Sequence, residues 1–118
     1  MGNTKIELLE LLLIEVAKKR QTLTYRQVAQ YLELHPPNTI HQATECIEAM
    51  MRLHAQFGTP QLASLVISKI RNGLPAPGFF MLLQEIGLYD GSVDGKDARE
   101  FHTREMNRCY NAVSRQRL

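Results

Sequence analysis

The chain has 118 residues, 44% of them hydrophobic and 22% charged, and it contains 7 Gly, 5 Pro and 2 Cys. This composition is typical of a globular domain with its own apolar core, and it excludes collagen-like, disordered and disulfide-rich secreted proteins. The formal net charge of +2 does not by itself indicate nucleic-acid binding, although residues 96–118 carry six Lys or Arg against three Asp or Glu.

A first helix is predicted over residues 4–19, because Thr4 and Glu7 form a capping-box pattern and the apolar residues that follow recur at helical spacing. Three further apolar residues make the apolar surface of this helix wider than the stripe that packing against a single core requires. These are Leu8, Leu11 and Ile14. We expect either the C-terminal helix or a second copy of the chain to cover them, so a homodimer through helix 1 is one expectation.

The longest apolar run, residues 8–16, is interrupted by two glutamates and is too short to cross a bilayer. It also lacks the basic segment and the small-residue cleavage site of a signal peptide. Cys46 and Cys109 fall in predicted helices and are expected to be buried free thiols. We therefore expect a single cytoplasmic domain, residues 1–118, that makes no membrane contact.

A helix-turn-helix is predicted in the middle of the chain. Thr24 and Gln27 form a second capping box that opens a short helix 2, and two consecutive prolines prevent this helix from continuing. Asn38 is expected to cap helix 3, a long helix over residues 39–57 that ends at Gly58. The expected core residues of helix 3 are Ile40, Ala43, Ile47, Met50, Met51 and Leu53.

A β-hairpin is predicted next. Leu62–Ser68 is rich in aliphatic and β-branched residues, which indicates a strand. Lys69–Gly73 contains the hairpin signal Asn-Gly, and Leu74–Pro77 is the expected returning arm, weakened by its two prolines. This order of elements is typical of a winged helix, in which the third helix enters the major groove and the wing touches the DNA backbone. We predict a winged-helix-like core over residues 22–87.

Two more helices complete the predicted fold. A compact helix spans residues 78–86, and its Phe79 and Phe80 are expected in the core rather than in a base-stacking surface. Asp97 is expected to cap a C-terminal helix over residues 96–114. The predicted fold class is mainly α with a small β element: a winged helix-turn-helix-like domain with an added N-terminal helix and an added C-terminal helix.

Thr-Tyr-Arg-Gln-Val-Ala at residues 24–29 is followed by a proline-containing turn, a helix with Ala-Met, an aliphatic strand and Ser-Lys-x-x-x-Gly-Leu-Pro at residues 68–75. Through these motifs and their order, residues 22–87 resemble the DNA-binding half of the alkyltransferase and alkyltransferase-like family. Residues 39–95, with Gly-Leu-Pro-Ala-Pro-Gly-Phe-Phe, also resemble small bacterial proteins, and that second resemblance implies no activity.

The chain departs from the alkyltransferase family at three points, one of which is that the helix before the strand is extended by residues 52–58. The family opens its helix-turn-helix with Thr-Tyr-Gly-x-Ile-Ala, and Arg26 stands here in place of the Gly. The family's reactive Pro-Cys-His-Arg, or its Trp-containing variant, belongs near Leu62–Ser68, a segment that contains no Cys, His or Arg. Because alkyl transfer needs an activated thiolate, the resemblance implies DNA binding without alkyl transfer.

Seven polar residues are candidates for DNA contact, because Asn and Gln can pair with adenine while Lys and Arg can neutralise phosphate. They are Arg26, Asn38, Thr39, His41, Gln42, Lys69 and Arg71. Glu45 and Glu48 lie in the same helix 3 and would repel phosphate. The alternative is that Asn38 is only a helix cap and that His41 and Gln42 are ordinary solvated residues.

No catalytic site, metal site or cofactor is predicted. The four His show no metal-ligand spacing, and residues 90–95 lack the alternating ligands of a calcium loop. Ser64 and Ser68 are not surrounded by a nucleophile-elbow motif. We predict a non-enzymatic protein that binds double-stranded DNA. The alternative is a protein–protein interaction module with the same fold, acting as an adaptor, an inhibitor or an accessory factor.

Overall fold

The computed structural model describes residues 3–115. Within this range the chain forms five α-helices: α1 (Asn3–Lys18), α2 (Tyr25–Tyr31), α3 (Thr39–Phe57), α4 (Pro77–Glu85) and α5 (Gly95–Arg115). Two short strands, β1 (Leu23–Thr24) and β2 (Val66–Ile67), form a parallel sheet in which Leu23 pairs with Val66 and Thr24 with Ile67. The predicted fold class, mainly α with a small β element, is confirmed. None of the helices in residues 3–115 is long and apolar enough to cross a membrane.

A capping box was predicted at the N-terminal end of both α1 and α2, and it forms only at α2. Thr4 does not cap α1, since that helix already includes Asn3. At α2 the predicted capping box is confirmed: the Gln27 N–H donates to Thr24 Oγ1 at 3.2 Å, and the Thr24 N–H donates to Gln27 Oε1 at 2.9 Å. This reciprocal pair satisfies two backbone donors that the first turn of α2 leaves free.

Helix α3 coincides with its predicted range and ends at Gly58, which adopts the left-handed conformation with φ of 69°. Four of its expected core residues are buried, namely Ala43, Ile47, Met50 and Met51. Ile40 and Leu53 are instead 43% and 39% exposed. The prediction for Asn38 is wrong in its mechanism, because this residue is itself left-handed and its side chain makes no hydrogen bond to the helix.

The predicted β-hairpin is wrong. Residues Leu62–Leu65 form a 3₁₀ turn, only Val66–Ile67 are extended, and Lys69–Arg71 form a second 3₁₀ turn. The segment lies in the interior, since Leu62, Ala63, Ser64 and Leu65 are all buried. A short apolar run indicates burial but does not by itself separate a strand from a helical turn. Residues 74–77 form no returning strand, and two of them are prolines without an N–H to donate.

Helices α4 and α5 close the core around an aromatic cluster. Phe80 is fully buried, and its ring centroid lies 5.1 Å from that of Phe79, 5.4 Å from Tyr89 and 6.5 Å from Phe101. Pro77 occupies the first turn of α4, where its missing N–H costs nothing. The capping prediction for Asp97 is wrong, since α5 begins at Gly95 and Asp97 lies inside its first turn.

Candidate nucleic-acid interface

An open groove of about 550 Å³ lies where the start of α2, the start of α3 and the turn after β2 meet. We call it the basic groove. It is lined by Thr24, Tyr25, Arg26, Ile40, Thr44, Ile67, Ser68, Lys69, Ile70 and Ala76. The Tyr25 hydroxyl accepts the Ala76 N–H at 2.8 Å and so joins α2 to the segment that leads into α4. Burial raises the pKa of Tyr25, so this phenol is protonated at neutral pH.

Two of the seven predicted contact residues, Arg26 and Lys69, line the basic groove together. Both are exposed, and neither takes part in any of the ion pairs formed by residues 4–114. Each lies two positions beyond a residue of the paired sheet, Arg26 after Thr24 and Lys69 after Ile67. The groove therefore presents two cations from distant parts of the sequence that have no acidic partner in the described chain.

Arg71 does not contact the groove. Arg71 Nε donates to the backbone carbonyl of Pro75 at 2.8 Å, and a terminal nitrogen of the same guanidinium donates to the backbone carbonyl of Val93. The Arg99 guanidinium donates at 3.0 Å to the carbonyl of Asn72 in the same turn. Arg71 is thus a structural residue that ties the turn after β2 to the loop before α5, and its prediction as a phosphate contact is not supported by its geometry.

The four candidates at the start of α3 also divide into free and engaged side chains. The Gln42 amide nitrogen donates to the carbonyls of His35 and Pro37 at 2.9 and 2.8 Å, so it holds the loop between α2 and α3. His41 lies 3.5 Å from Glu45 on the exposed face of α3. Asn38 is exposed and Thr39 half-buried, and neither side chain lines the basic groove.

The two acids of α3 that would oppose DNA binding do not line the basic groove, although burial and, to a smaller extent, the charge of Glu48 raise the pKa of the groove residue Tyr25. Glu45 Oε2 lies 3.5 Å from His41 Nε2 on the exposed face of α3. Glu48 Oε2 lies beside Gly78, within 3.4 Å of where a Cβ would stand, in the first turn of α4. A carboxylate in that position is attracted by the positive end of the α4 dipole. Neither side chain lines the basic groove, and the first turn of α3 contains no acid.

Eight of the ten residues that line the basic groove are not among the predicted contact residues, and Ile40, Thr44 and Ile70 are three of these eight. Ile70 is 94% exposed, the highest value among the large hydrophobic side chains described. The signal that could have found it is its place between two cationic residues in a turn. Ile40 has the same helical phase as the core stripe of α3 but lies in the first turn of the helix, where 43% of its side chain is exposed.

Side chains of α5 meet the segment in which the resemblance places a reactive motif. His102 Nε2 donates to the Ser64 carbonyl at 2.8 Å, and Ser64 Oγ lies 3.7 Å from Cys109 Sγ. Burial raises the pKa of Cys109 to about 12 and lowers that of His102. At neutral pH the thiol is therefore protonated and the imidazole neutral, so this buried group lacks the thiolate that alkyl transfer requires. Cys46, half-buried in α3, is also a free thiol.

In residues 4–114 no three His, Cys, Asp or Glu side chains come close enough together to hold a metal ion.

Comparison of the chain with models of protein families, with curated proteins and with solved structures finds no match in any of the three.

Proposed function

We propose that this protein binds duplex DNA through the basic groove, with the start of α3 directed at the DNA and with Arg26 and Lys69 on the phosphate backbone. The observation that carries the proposal is the convergence of two exposed, unpaired cations on the groove that the start of α3 also lines. Phosphate contacts of this kind position a protein on the duplex without reading sequence. The proposal includes no catalytic step.

Two further features support the proposal. The first turn of α3 contains no acidic residue, and the N-terminal end of a 19-residue helix carries a partial positive charge that attracts phosphate. Ile70 and Ile40 place apolar surface beside the two cations, where it can contact thymine methyl groups or sugar. A winged-helix-like role for residues 22–87 is part of this proposal, with the turn after β2 in place of a β-wing.

The test is a fluorescence-anisotropy titration of a random-sequence duplex at several salt concentrations. We expect the logarithm of the wild-type binding constant to fall linearly with the logarithm of the salt concentration, because each phosphate contact releases a counterion. The Arg26→Ala/Lys69→Ala variant should bind more weakly, with a salt slope smaller by about 2, about one unit for each lost contact.

The matched control is Arg104→Ala. It removes one positive charge, as each substitution of the double variant does, from an exposed position of α5 that lines a different cleft, so its salt slope should equal that of the wild type. Absence of salt-dependent binding by the wild type, or an equal loss in the control and the double variant, would contradict the proposal.

A second candidate function, self-association, is favoured by the exposed face of α1. Glu7, Leu11, Ile14 and Lys18 recur at positions i, i+4, i+7 and i+11, so they lie along one seam of the helix. Leu11 is 61% exposed, and a groove of about 570 Å³ runs beside it, bounded on α3 by Leu53. Leu8, 40% exposed, widens the apolar surface next to this seam.

The seam is complementary to itself when two copies pair antiparallel. Leu11 of one copy then faces Ile14 of the other, and Glu7 faces Lys18, as the twofold symmetry of a dimer requires. We expect light scattering to give twice the 13.5 kDa of one chain. Leu11→Glu should yield a monomer, while Met81→Glu, at a 57% exposed position of α4, should remain dimeric. A wild-type mass of one chain would exclude this candidate.

A further inference from the structure

The turn after β2 presents an apolar side chain to solvent. Ile70 is 94% exposed, so its side chain makes almost no contact with the rest of the described chain. It follows Lys69, an exposed cation, and both residues line the basic groove. A single exposed apolar residue is common on protein surfaces. Its meaning therefore depends on the backbone that carries it and on the charges that surround it.

The backbone that carries Ile70 is held by hydrogen bonds on both sides. The Ser68 N–H donates to the Leu74 carbonyl at 2.8 Å, and the Ser68 carbonyl accepts from the N–H groups of Arg71 and Gly73 at 3.2 and 3.1 Å. The side chain of Arg71 ties the same turn to the loop before α5. Isoleucine is β-branched and has few rotamers. A stiff side chain thus stands on a fixed backbone, and little freedom is lost when a ligand buries it.

The charges around Ile70 are complementary to a nucleic acid. Lys69 and Arg26 are exposed cations of the same groove, and none of the residues that line the groove is acidic. The other isoleucine at the groove's exposed edge, Ile40, is 43% exposed, so Ile70 is the apolar side chain that the protein covers least. An apolar group between cations matches a polyanion with an apolar interior, and stacked bases between two phosphate backbones have this arrangement.

Resting on the proposed binding of duplex DNA, we infer that Ile70 is a wedge that inserts from the minor groove between two adjacent base pairs and kinks the duplex, while Lys69 contacts a flanking phosphate. Isoleucine is among the side chains that proteins insert in this way, and such insertion kinks DNA by about 20–90° toward the major groove. Burial of the side chain offsets part of the cost of unstacking. Pyrimidine–purine steps unstack most easily, so the wedge selects them without hydrogen bonds to bases.

The test measures DNA bending by energy transfer between dyes at the two ends of a short duplex, whose only pyrimidine–purine step is a central TA. With saturating wild-type protein we expect the transfer efficiency to rise, because a kink brings the two ends closer together. Ile70→Ala should bind the duplex and leave the efficiency at the value of free DNA. This variant is expected to fold like the wild type, since the side chain of Ile70 makes almost no contact within the chain.

Two controls isolate the wedge. Ile40→Ala removes the same atoms from another position of the basic groove, in the first turn of α3, and should bend the duplex as the wild type does. In a matched duplex the T of the central TA is replaced by A, so that no pyrimidine–purine step remains. The minor groove presents T·A and A·T alike, so a difference in affinity reports deformability. We expect the wild type to bind the TA duplex about tenfold more tightly, and Ile70→Ala to bind both equally.

The possible failures separate the wedge from DNA binding itself. Salt-dependent binding by the wild type without a rise in energy transfer would overturn the wedge and leave the proposed DNA binding intact. Equal loss of the bend in Ile70→Ala and Ile40→Ala, or equal affinity of the wild type for the two duplexes, would have the same meaning. Absence of salt-dependent binding to either duplex would overturn the wedge together with the proposed function.

Discussion

Replacing Phe80 with alanine is expected to lower the free energy of unfolding by about 3–5 kcal/mol, the usual cost of removing a buried aromatic side chain and leaving a void. Phe80 is fully buried and contacts Phe79 edge to face, with an interplanar angle of 89°. It also packs against Tyr89 and Phe101 from the segment after α4 and from α5. One substitution therefore weakens the contact between three parts of the chain. Urea denaturation measures the effect.

Met81→Ala is the matched control for this prediction. Met81 is the next residue of α4 and is 57% exposed, so its replacement should change stability by less than about 1 kcal/mol. A similar small loss for Phe80→Ala would show that the aromatic cluster is not part of the core. The result bears on function, because exposed aromatic rings could stack on bases whereas buried rings cannot.

Arg71→Ala is expected to lower the free energy of unfolding by about 2–3 kcal/mol, since hydrogen bonds made by a charged donor contribute about 1.5–3 kcal/mol and Arg71 is half-buried. The substitution leaves the carbonyls of Pro75 and Val93 without their donor. Lys69→Ala, two positions earlier, removes an exposed cation and should cost less than about 0.5 kcal/mol. Urea unfolding of the two variants in parallel separates them.

Equal stability of the two variants would contradict the structural role of Arg71. If the difference is found, Arg71→Ala cannot serve as a test of phosphate contact, because weaker DNA binding would then follow from a loosened turn. Lys69→Ala remains suitable, since it changes the charge of the basic groove and leaves the turn intact.

Local signals predicted where the helices lie, but three of the four predicted N-terminal caps, those at Thr4, Asn38 and Asp97, do not form as expected. Helix α3 occupies its predicted range, and the Thr24–Gln27 capping box forms as expected. Both depend on residues that are neighbours in sequence. The predicted strand over residues 62–68 fails because β-branched and aliphatic residues favour a strand and an enclosed 3₁₀ turn alike. Only the packing of α1, α3 and α5 around that segment decides between the two.

The candidate site was predicted less completely. Charge and position identified Arg26 and Lys69 as DNA contacts, but the same reasoning also predicted Arg71 and Gln42 as DNA contacts. Their side chains are used by backbone carbonyls of other segments, Val93 for Arg71 and His35 for Gln42. Such partners are set by the tertiary fold and leave no pattern in the sequence.

The two-residue sheet has a consequence for the energetics of binding. Its register, Thr24 opposite Ile67, places Arg26 and Lys69 at equal distances along the chain from one paired position. The relative position of the two backbone segments is therefore set when the protein folds, while the exposed side chains of Arg26 and Lys69 keep the rotamer freedom that phosphate contact would remove. The sheet thus acts as a rigid spacer between the backbones of the two cationic residues, so the proposed contact with DNA would order two side chains and leave the backbone between them unchanged.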